Sequence, residues 1–375
     1  MNNLTNKNSN IIAKYLRWII LGFILGGSML IHFLHLFAGQ RFPSVHAICP
    51  LGGLENLWTW IAGAGRGNIQ KITSGTMTLF FFTLVLALIF GRAFCGNICP
   101  FGTLQELFGK FSKKKIQLSG KIDNAARFFK YLVLIFVTIM AWITATLWIS
   151  PYDPWGAFAH IWRGKELFHE YAAGFIILLI VLAASVFINR FSCKYLCPAG
   201  AVYGIISKIS PARIKRNDCS QCGQCSAVCP MNIDVARIKT VKSAECIVCN
   251  QCTISCKSKT NDIQITFFNK SIKPLAFIII IVTVFFGSLF IFNKTGILRV
   301  TVPALESVLE SGNFLRIIDI RGSMSIEAAS EYVGMELSEF YNLMEIPKTV
   351  PKETWLRDVS LHVPGYDFHV IRDSR

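Results

Sequence analysis

Long apolar runs alternate with basic polar segments along this chain. Five stretches consist almost entirely of apolar residues and approach the length that a helix needs to cross a membrane, about 20 residues. They are residues 15–37, 76–93, 129–149, 171–189 and 274–292. The pattern predicts a mainly α-helical, polytopic membrane bundle with these five spans.

The positions of Lys and Arg predict the orientation of the bundle, because basic loops stay in the cytoplasm. With Met1 inside, segments 1–17, 92–130 and 189–273 face inward and together hold 24 Lys and Arg against 6 Asp and Glu. We therefore expect a multi-pass protein of a bacterial cell membrane. Its N-terminus lies in the cytoplasm, and its C-terminal tail lies outside the cytoplasm.

Composition and charge support a membrane protein over a nucleic-acid-binding protein. Hydrophobic residues make up 53% of the chain and charged residues only 16%. The net charge of +16 follows from the basic inner loops, so it indicates contact with membrane lipid and no nucleic-acid partner.

Polar segments divide the chain into four parts. Residues 1–210 form a predicted membrane domain with the first four spans. Residues 211–270 are polar, basic and Cys-rich, and predict a small cytoplasmic domain. The fifth span at 274–292 leads to a tail, 294–375.

The tail carries helix signals typical of a small helical bundle. Ser325 begins a predicted helix, Gly334 ends it, and Ser338 begins a second one. Phe340, Tyr341 and Met344 share one side of that second helix. The outline resembles a helix-turn-helix, but the tail is acidic and placed outside the cell, which favours a small helical bundle. A further possibility is that this appendage docks an extracytoplasmic redox partner.

The cytoplasmic segment contains two cysteine runs with the spacing of bacterial ferredoxins. CSQCGQCSAVCP and CIVCNQCTISC each have C-x2-C-x2-C-x3-C spacing, in which the fourth cysteine reaches the neighbouring cluster. The predicted ligands of the first [4Fe-4S] cluster are Cys219, Cys222, Cys225 and Cys256. Those of the second [4Fe-4S] cluster are Cys246, Cys249, Cys252 and Cys229. Structural zinc is the alternative, but zinc sites usually place their cysteine pairs a dozen or more residues apart.

A shorter motif, C-x3-C-P, occurs twice, each time after an apolar span. The copies are GRAFCGNICPFGTLQE and NRFSCKYLCPAGAVYG. Cysteines four apart share a helix face, and Pro100 and Pro198 are expected to end each helix. Cys95, Cys99, Cys193 and Cys197 could therefore hold a third cluster or another metal at the inner membrane surface. Thiols without metal are the alternative. Arg92 and Arg190 could offset thiolate charge.

Histidines lie in the outer half of the predicted bundle. The candidates for a haem or quinol site are His32, His35, His46 and His169. Ionisable groups inside spans are functional candidates, whereas the alternative is a set of interface histidines bonded to water or backbone. HAICPLGGLE is a half-copy of the C-x3-C-P motif with Cys49 and Glu55; Cys49 is either a lone thiol or a cofactor contact.

The C-x3-C-P motifs and the paired cluster runs resemble those of the membrane polyferredoxins of the NapH and NosR type. The resemblance covers residues 46–262 and implies electron transfer between the quinone pool or cytoplasmic carriers and a redox partner. It also implies that the cysteines named above match the cysteines of the family's motifs. The fifth span and acidic tail depart from NapH, and the chain has no flavin domain like that of NosR.

We expect an iron-sulfur electron-transfer subunit rather than a stand-alone enzyme. Its basic inner face is suited to an acidic ferredoxin or flavodoxin. The hydrocarbon core, about 30 Å thick, is too thick for one electron hop from the inner clusters to the outer histidines. The alternative function is an accessory or regulatory protein for metalloenzyme maturation or redox sensing.

Overall fold

The structure is a computed structural model of the 375-residue chain. It describes residues 2–38, 42–43, 49–55, 57, 70–112, 114–116, 118, 120–144, 148–164, 171–217, 219, 222–256, 263–298, 309, 312, 314–315, 317, 320, 322 and 324–374. His46 and His169, two of the predicted haem or quinol ligands, lie outside these ranges.

Helices dominate the first part of the chain and the segment after the Cys-rich insert. They are α1 (Asn2–Ala38), α2 (Pro50–Glu55), α3 (Gln70–Phe90), α4 (Ala93–Asn97), α5 (Pro100–Phe108), α6 (Gly120–Thr144), α7 (Pro154–Ala159), α8 (Ala172–Phe187), α9 (Phe191–Tyr195) and α10 (Pro198–Ser207). The helix after the insert is α13 (Pro274–Lys294). The mainly helical fold is therefore confirmed.

Three of these helices are long and apolar enough to cross a membrane. They cover residues 10–35, 120–144 and 274–294. The predicted second and fourth spans correspond to α3, which is apolar over residues 75–90, and to the shorter apolar helix α8 at 172–187. At 1.5 Å per residue α8 is about 24 Å long, less than the hydrocarbon thickness of about 30 Å, whereas the 21 residues of α3 extend about 31 Å.

Two predicted span boundaries were wrong, for identifiable reasons. The second span was expected to reach residue 93, but α3 ends at Phe90 because Gly91 has a positive φ of 65°. The third was expected at 129–149, whereas α6 covers Gly120–Thr144. Its first turns carry charged residues that bind the insert, and hydropathy alone counts such residues as loop.

The insert folds around a four-stranded antiparallel sheet. Its elements are β1 (Ala212–Arg216), α11 (Gln224–Ala227), β2 (Thr240–Val241), α12 (Gln251–Ile254), β3 (Ile263–Phe267) and β4 (Lys270–Ile272), with strand order β2-β1-β3-β4. Ile214 pairs with Ile265 across the centre, and both are buried. Alternate residues of these strands therefore point into the core that surrounds the cysteine loops.

The tail has a separate apolar core. Its helices are α14 (Ile326–Val333), α15 (Leu337–Leu343) and α16 (Phe368–Ser374). As predicted, Ser325 caps α14 by accepting the amide of Ala328, and Gly334 ends it with φ 71°. The second helix begins at Leu337 rather than at Ser338. The three residues predicted to share one side of it are all buried, namely Phe340, Tyr341 and Met344, the last as the residue that caps the end of the helix.

Candidate metal centres

Four cysteines of the insert line one cavity: Cys229, Cys246, Cys249 and Cys252. These are the cysteines predicted for the second cluster, three from one run and the fourth from the other. The remaining lining is mostly apolar and includes Met231 and Ile247. A four-iron cubane takes one thiolate per iron, so four cysteines around one apolar cavity fit such a cluster.

Backbone amides point at the sulfurs of this cavity. The amide of Ile233 donates to Sγ of Cys229 at 3.4 Å. Burial raises the pKa of the Cys246 thiol to about 12, against the opposing hydrogen bond from the Val248 amide. Apolar burial favours protonated thiols, whereas iron coordination deprotonates them. The chemistry of the cavity therefore suits a bound cluster better than free thiolates.

The cysteines predicted for the first cluster lie nearer the surface. Cys222 is exposed, Cys219 and Cys256 are partly buried, and Cys225 is buried. Cys219 lies within electrostatic range of Cys225. A cluster held here would be the more accessible of the two.

The two C-x3-C-P motifs converge on one place. The thiol of Cys99 lies within electrostatic range of Cys95, Cys193 and Cys197. Cys197 is likewise near Cys193 and Cys95. We call these residues the four-cysteine site. Within the described ranges, no three Cys, His, Asp or Glu side chains stand close enough to hold a single metal ion.

The expected helix geometry of the motifs was wrong. Cys95 lies in α4, but Cys99 caps the start of α5, and its sulfur accepts the amide of Gly102 at 3.4 Å. Cys197 caps α10 in the same way, accepting from Gly200 at 3.3 Å. Each proline occupies the first turn of the second helix, where its missing N–H costs nothing. The proline therefore begins a helix, and the helix N-terminus faces the sulfur.

The arginine that precedes each C-x3-C-P motif contacts the other copy of the motif. Arg92 donates weakly to the carbonyl of Cys193 at 3.5 Å, and Arg190 donates to the carbonyl of Cys95. Each guanidinium also fills the space beside the other copy's glycine: a Cβ on Gly200 would lie 2.8 Å from Arg92, and one on Gly102 would lie 2.8 Å from Arg190. The arginines thus tie the copies together around the cysteines.

A buried carboxylate neutralises Arg190. Glu106, in the first copy, pairs with Arg190 at 2.7 Å and with Arg17 of α1 at 2.9 Å. Gln251 of the insert also donates to Glu106 at 2.6 Å. The two guanidiniums hold the pKa of Glu106 at about 2, outweighing its burial. The site therefore contains a permanent negative charge.

The second copy has Gly204 where the first has Glu106, and the insert supplies the missing carboxylate. A Cβ on Gly204 would lie 3.1 Å from the carbonyl oxygen of Ala244, so the glycine lets the insert approach. Glu245 then pairs with Arg92 at 3.5 Å and with Lys130 of α6. The insert therefore supplies the carboxylate that pairs with Arg92, which the second copy of the repeat lacks.

The first C-x3-C-P copy packs beside α1. The carbonyl of Gly96 accepts from Arg17 at 2.9 Å, near one end of the first span. The ring of Phe101 stands 6.2 Å from Trp155, which stands 6.0 Å from His32 near the other end. Arg17 and His32 are about 22 Å apart along α1. The first C-x3-C-P copy is therefore bonded to α1 through Arg17 and approaches His32 through Trp155.

Cys49 directly precedes α2, and Glu55 ends it. Cys49 is within electrostatic range of Asp153 and Glu55, and amides of the next turn approach its sulfur. Glu55 accepts the amide of Ile149 at 3.0 Å, and burial raises its pKa to about 7. His35 donates through Nδ1 to the carbonyl of Phe42 at 2.7 Å. His32 is buried.

Sequence reasoning missed the charged partners of the four-cysteine site. These are Arg17, Glu106, Lys130 and Glu245. The available signal for Arg17 was a charged residue at the start of an apolar span, which is costly unless it is paired. For Glu106 the available signal was the alignment of the two copies, in which Glu106 is the only acidic residue and Gly204 occupies the equivalent position.

Comparison with known proteins relates the two C-x3-C-P copies to an iron-sulfur family. A family model described as a 4Fe-4S binding domain matches residues 75–119 and 172–217, the two C-x3-C-P copies. YccM of Escherichia coli K12, whose name assigns it provisionally to electron transport, is 31% identical over 215 residues, 55% of this chain and 59% of that protein. An uncharacterised protein of Methanocaldococcus jannaschii is 31% identical over 179 residues, 45% of this chain and 70% of that protein.

The ferredoxin-type protein NapH of Escherichia coli K12 is 23% identical over 230 residues, 59% of this chain and 74% of NapH. No solved structure matches. The helices and cysteine loops define a ferredoxin-type iron-sulfur protein with apolar helices compatible with a membrane. The chain belongs to the NapH-type family of membrane polyferredoxins.

Proposed function

We propose that this chain is a membrane-bound electron-transfer protein that holds two [4Fe-4S] clusters in its insert and a third at the four-cysteine site. The observation that carries the proposal is the cavity lined by Cys229, Cys246, Cys249 and Cys252. Clusters bound at these sites would take up and release single electrons. The protein's own groups would exclude water and fix the charge around the sulfurs.

The charges around the four-cysteine site support a cluster there. Four cations, Arg17, Arg92, Lys130 and Arg190, face two carboxylates, Glu106 and Glu245. Among these six described groups the cations exceed the carboxylates by two charges. An oxidised cubane with four thiolates has a formal charge of about −2. The helix N-termini at Cys99 and Cys197 add partial positive charge toward the same sulfurs.

Electrons would enter or leave at the first cluster, because one of its predicted ligands, Cys222, is exposed. The inner segments are strongly basic, so an acidic ferredoxin or flavodoxin is the carrier that they would attract. A quinone is the alternative carrier. The tail would serve an extracytoplasmic redox partner, with the insert and N-terminus facing the cytoplasm.

The test is iron and acid-labile sulfide per chain after anaerobic purification. We expect about twelve irons in the native protein and about eight in a Cys95→Ser/Cys193→Ser double variant. Cys49→Ser is the control and keeps about twelve.

About eight irons in all three proteins would refute the third cluster and favour a thiol or different-metal role in metalloenzyme maturation. Fewer than about four irons in each protein would refute the proposed function.

A further inference from the structure

The ferredoxin insert and the layer around Cys49 lie at opposite ends of α6. Near its start, Arg127 donates to the carbonyl of Met231 in the insert at 2.8 Å. Beyond its end, the amide of Ile149 donates to Glu55. The helix between Arg127 and Thr144 alone is about 25 Å long. The two layers are therefore separated by most of the thickness of a hydrocarbon core, about 30 Å.

The four-cysteine site touches the insert directly. A Cβ on Gly96, between Cys95 and Cys99, would lie 2.2 Å from the carbonyl oxygen of Ile247 and 3.2 Å from the Cα of Cys249. Asn97 donates to the carbonyl of Val248 at 3.2 Å. Residues 247–249 of the insert, which include the cluster ligand Cys249, therefore pack directly against the segment between Cys95 and Cys99.

One arginine spans the two sites. The guanidinium of Arg190 lies within electrostatic range of both Cys193 and Cys249. Arg190 is fully buried, so its side chain is shielded from bulk solvent. The cavity of Cys249 is thus a direct neighbour of the four-cysteine site.

The same site also reaches the opposite layer. The hydroxyl of Tyr203 lies within electrostatic range of Cys95, Cys197 and Cys49. It exchanges a hydrogen bond with Thr83 of α3 at 2.8 Å. One turn earlier on α3, Phe80 packs against α2, since a Cβ on Gly53 would lie 2.4 Å from it. Cys49 lies in turn beside Asp153 and Glu55.

We propose that the four-cysteine site is a relay that carries electrons across the membrane domain, between the insert cavity and an acceptor at the Cys49 layer. This inference rests on the proposed function and names its route. A distance too long for one hop would be divided into two shorter steps by a site that touches the insert and has Tyr203 between it and α2. Each transfer would oxidise one site by one electron and reduce the next. A reduced ferredoxin or flavodoxin on the insert side would supply the electron, and a one-electron carrier protein on the other side would accept it.

The test uses the full-length protein in sealed liposomes with ferricyanide trapped inside and titanium(III) citrate outside. Neither reagent crosses the bilayer, so bleaching of trapped ferricyanide reports electrons that cross through the protein. We compare native protein, Cys95→Ser/Cys193→Ser and Ile135→Ala. Ile135 is a lipid-facing side chain of α6, 56% exposed. Iron content and the electron paramagnetic resonance of the reduced insert clusters are measured on every sample.

We expect ferricyanide to bleach with native protein and Ile135→Ala, and to fall to the rate of empty liposomes with the double variant. The insert clusters of the double variant remain present and become reduced. The relay is refuted if the double variant bleaches ferricyanide at the native rate. It is also refuted if native protein with reduced insert clusters leaves the trapped ferricyanide unchanged. Absence of insert cluster signals in the native protein would instead refute the proposed function.

Discussion

Replacing Glu106 by glutamine should destabilise the protein strongly, because two buried guanidiniums would lose their shared carboxylate. Glu106 has a side chain 9% exposed and pairs with Arg17 and Arg190. Its pKa falls from 4.5 to about 2 on folding. At 1.36 kcal/mol per pKa unit this corresponds to about 3 kcal/mol. Breaking a buried ion pair by removing one partner costs a similar 3–5 kcal/mol, roughly.

The assay is denaturant unfolding in detergent micelles at pH 7, followed by circular dichroism on samples of equal iron content. The control is Glu327→Gln in the tail. Glu327 pairs with Lys352 at 2.6 Å, but the two side chains are 41% and 46% exposed. An exposed pair contributes less than about 1 kcal/mol, so this variant should stay near the native stability.

The pH dependence follows from the sign of the shift. The folded pKa of Glu106 is depressed, so its contribution is present above about 4.5 and is lost as pH falls toward 2. The Glu106→Gln penalty should therefore be constant between about pH 8 and pH 6. A penalty under about 1 kcal/mol, or one matched by Glu327→Gln, would show that the buried network does not hold the insert in place.

Three further outcomes follow from the packing and the charges. Gly96→Ala should speed limited proteolysis of the insert, because the new Cβ would lie 2.2 Å from the carbonyl oxygen of Ile247. Gly120→Ala is the control and should leave the proteolysis rate unchanged, because its Cβ would meet nothing within 4 Å. Burial raises the pKa of Glu55 from 4.5 to about 7. The unfolding temperature should therefore fall as the pH rises from about 5 to about 7, because the folded protein holds a proton on Glu55 that the unfolded chain has lost. Glu55→Gln should remove this dependence of the unfolding temperature on pH. Gly334→Ala should destabilise the tail core by about 1 kcal/mol or more, measured by thermal unfolding, because φ is 71° there.

The sequence predicted those features that depend on local pattern. Alternating apolar runs predicted the helices, and the caps of α14 followed from Ser325 and Gly334. Cysteine spacing grouped the four residues that line the cavity of the insert. The C-x3-C-P geometry was not predictable from periodicity, because Cys99 and Cys197 are helix caps rather than helix interior residues. A cap places a sulfur through backbone dihedral angles, which an i, i+4 argument does not contain.

Contacts between distant segments explain the rest of what was missed. An internal repeat predicts two equivalent halves, and Arg92 and Arg190, each in contact with the other copy, follow that symmetry. The symmetry fails at Gly204, where a carboxylate would have neutralised Arg92 as Glu106 neutralises Arg190. The failure creates the room into which the insert brings Glu245. A strictly symmetric pair would neutralise Arg92 with its own carboxylate, and the insert would keep only its bonds to the first copy, such as that of Gln251 to Glu106. The departure from the repeat therefore gives the insert an ion pair with Arg92 as well.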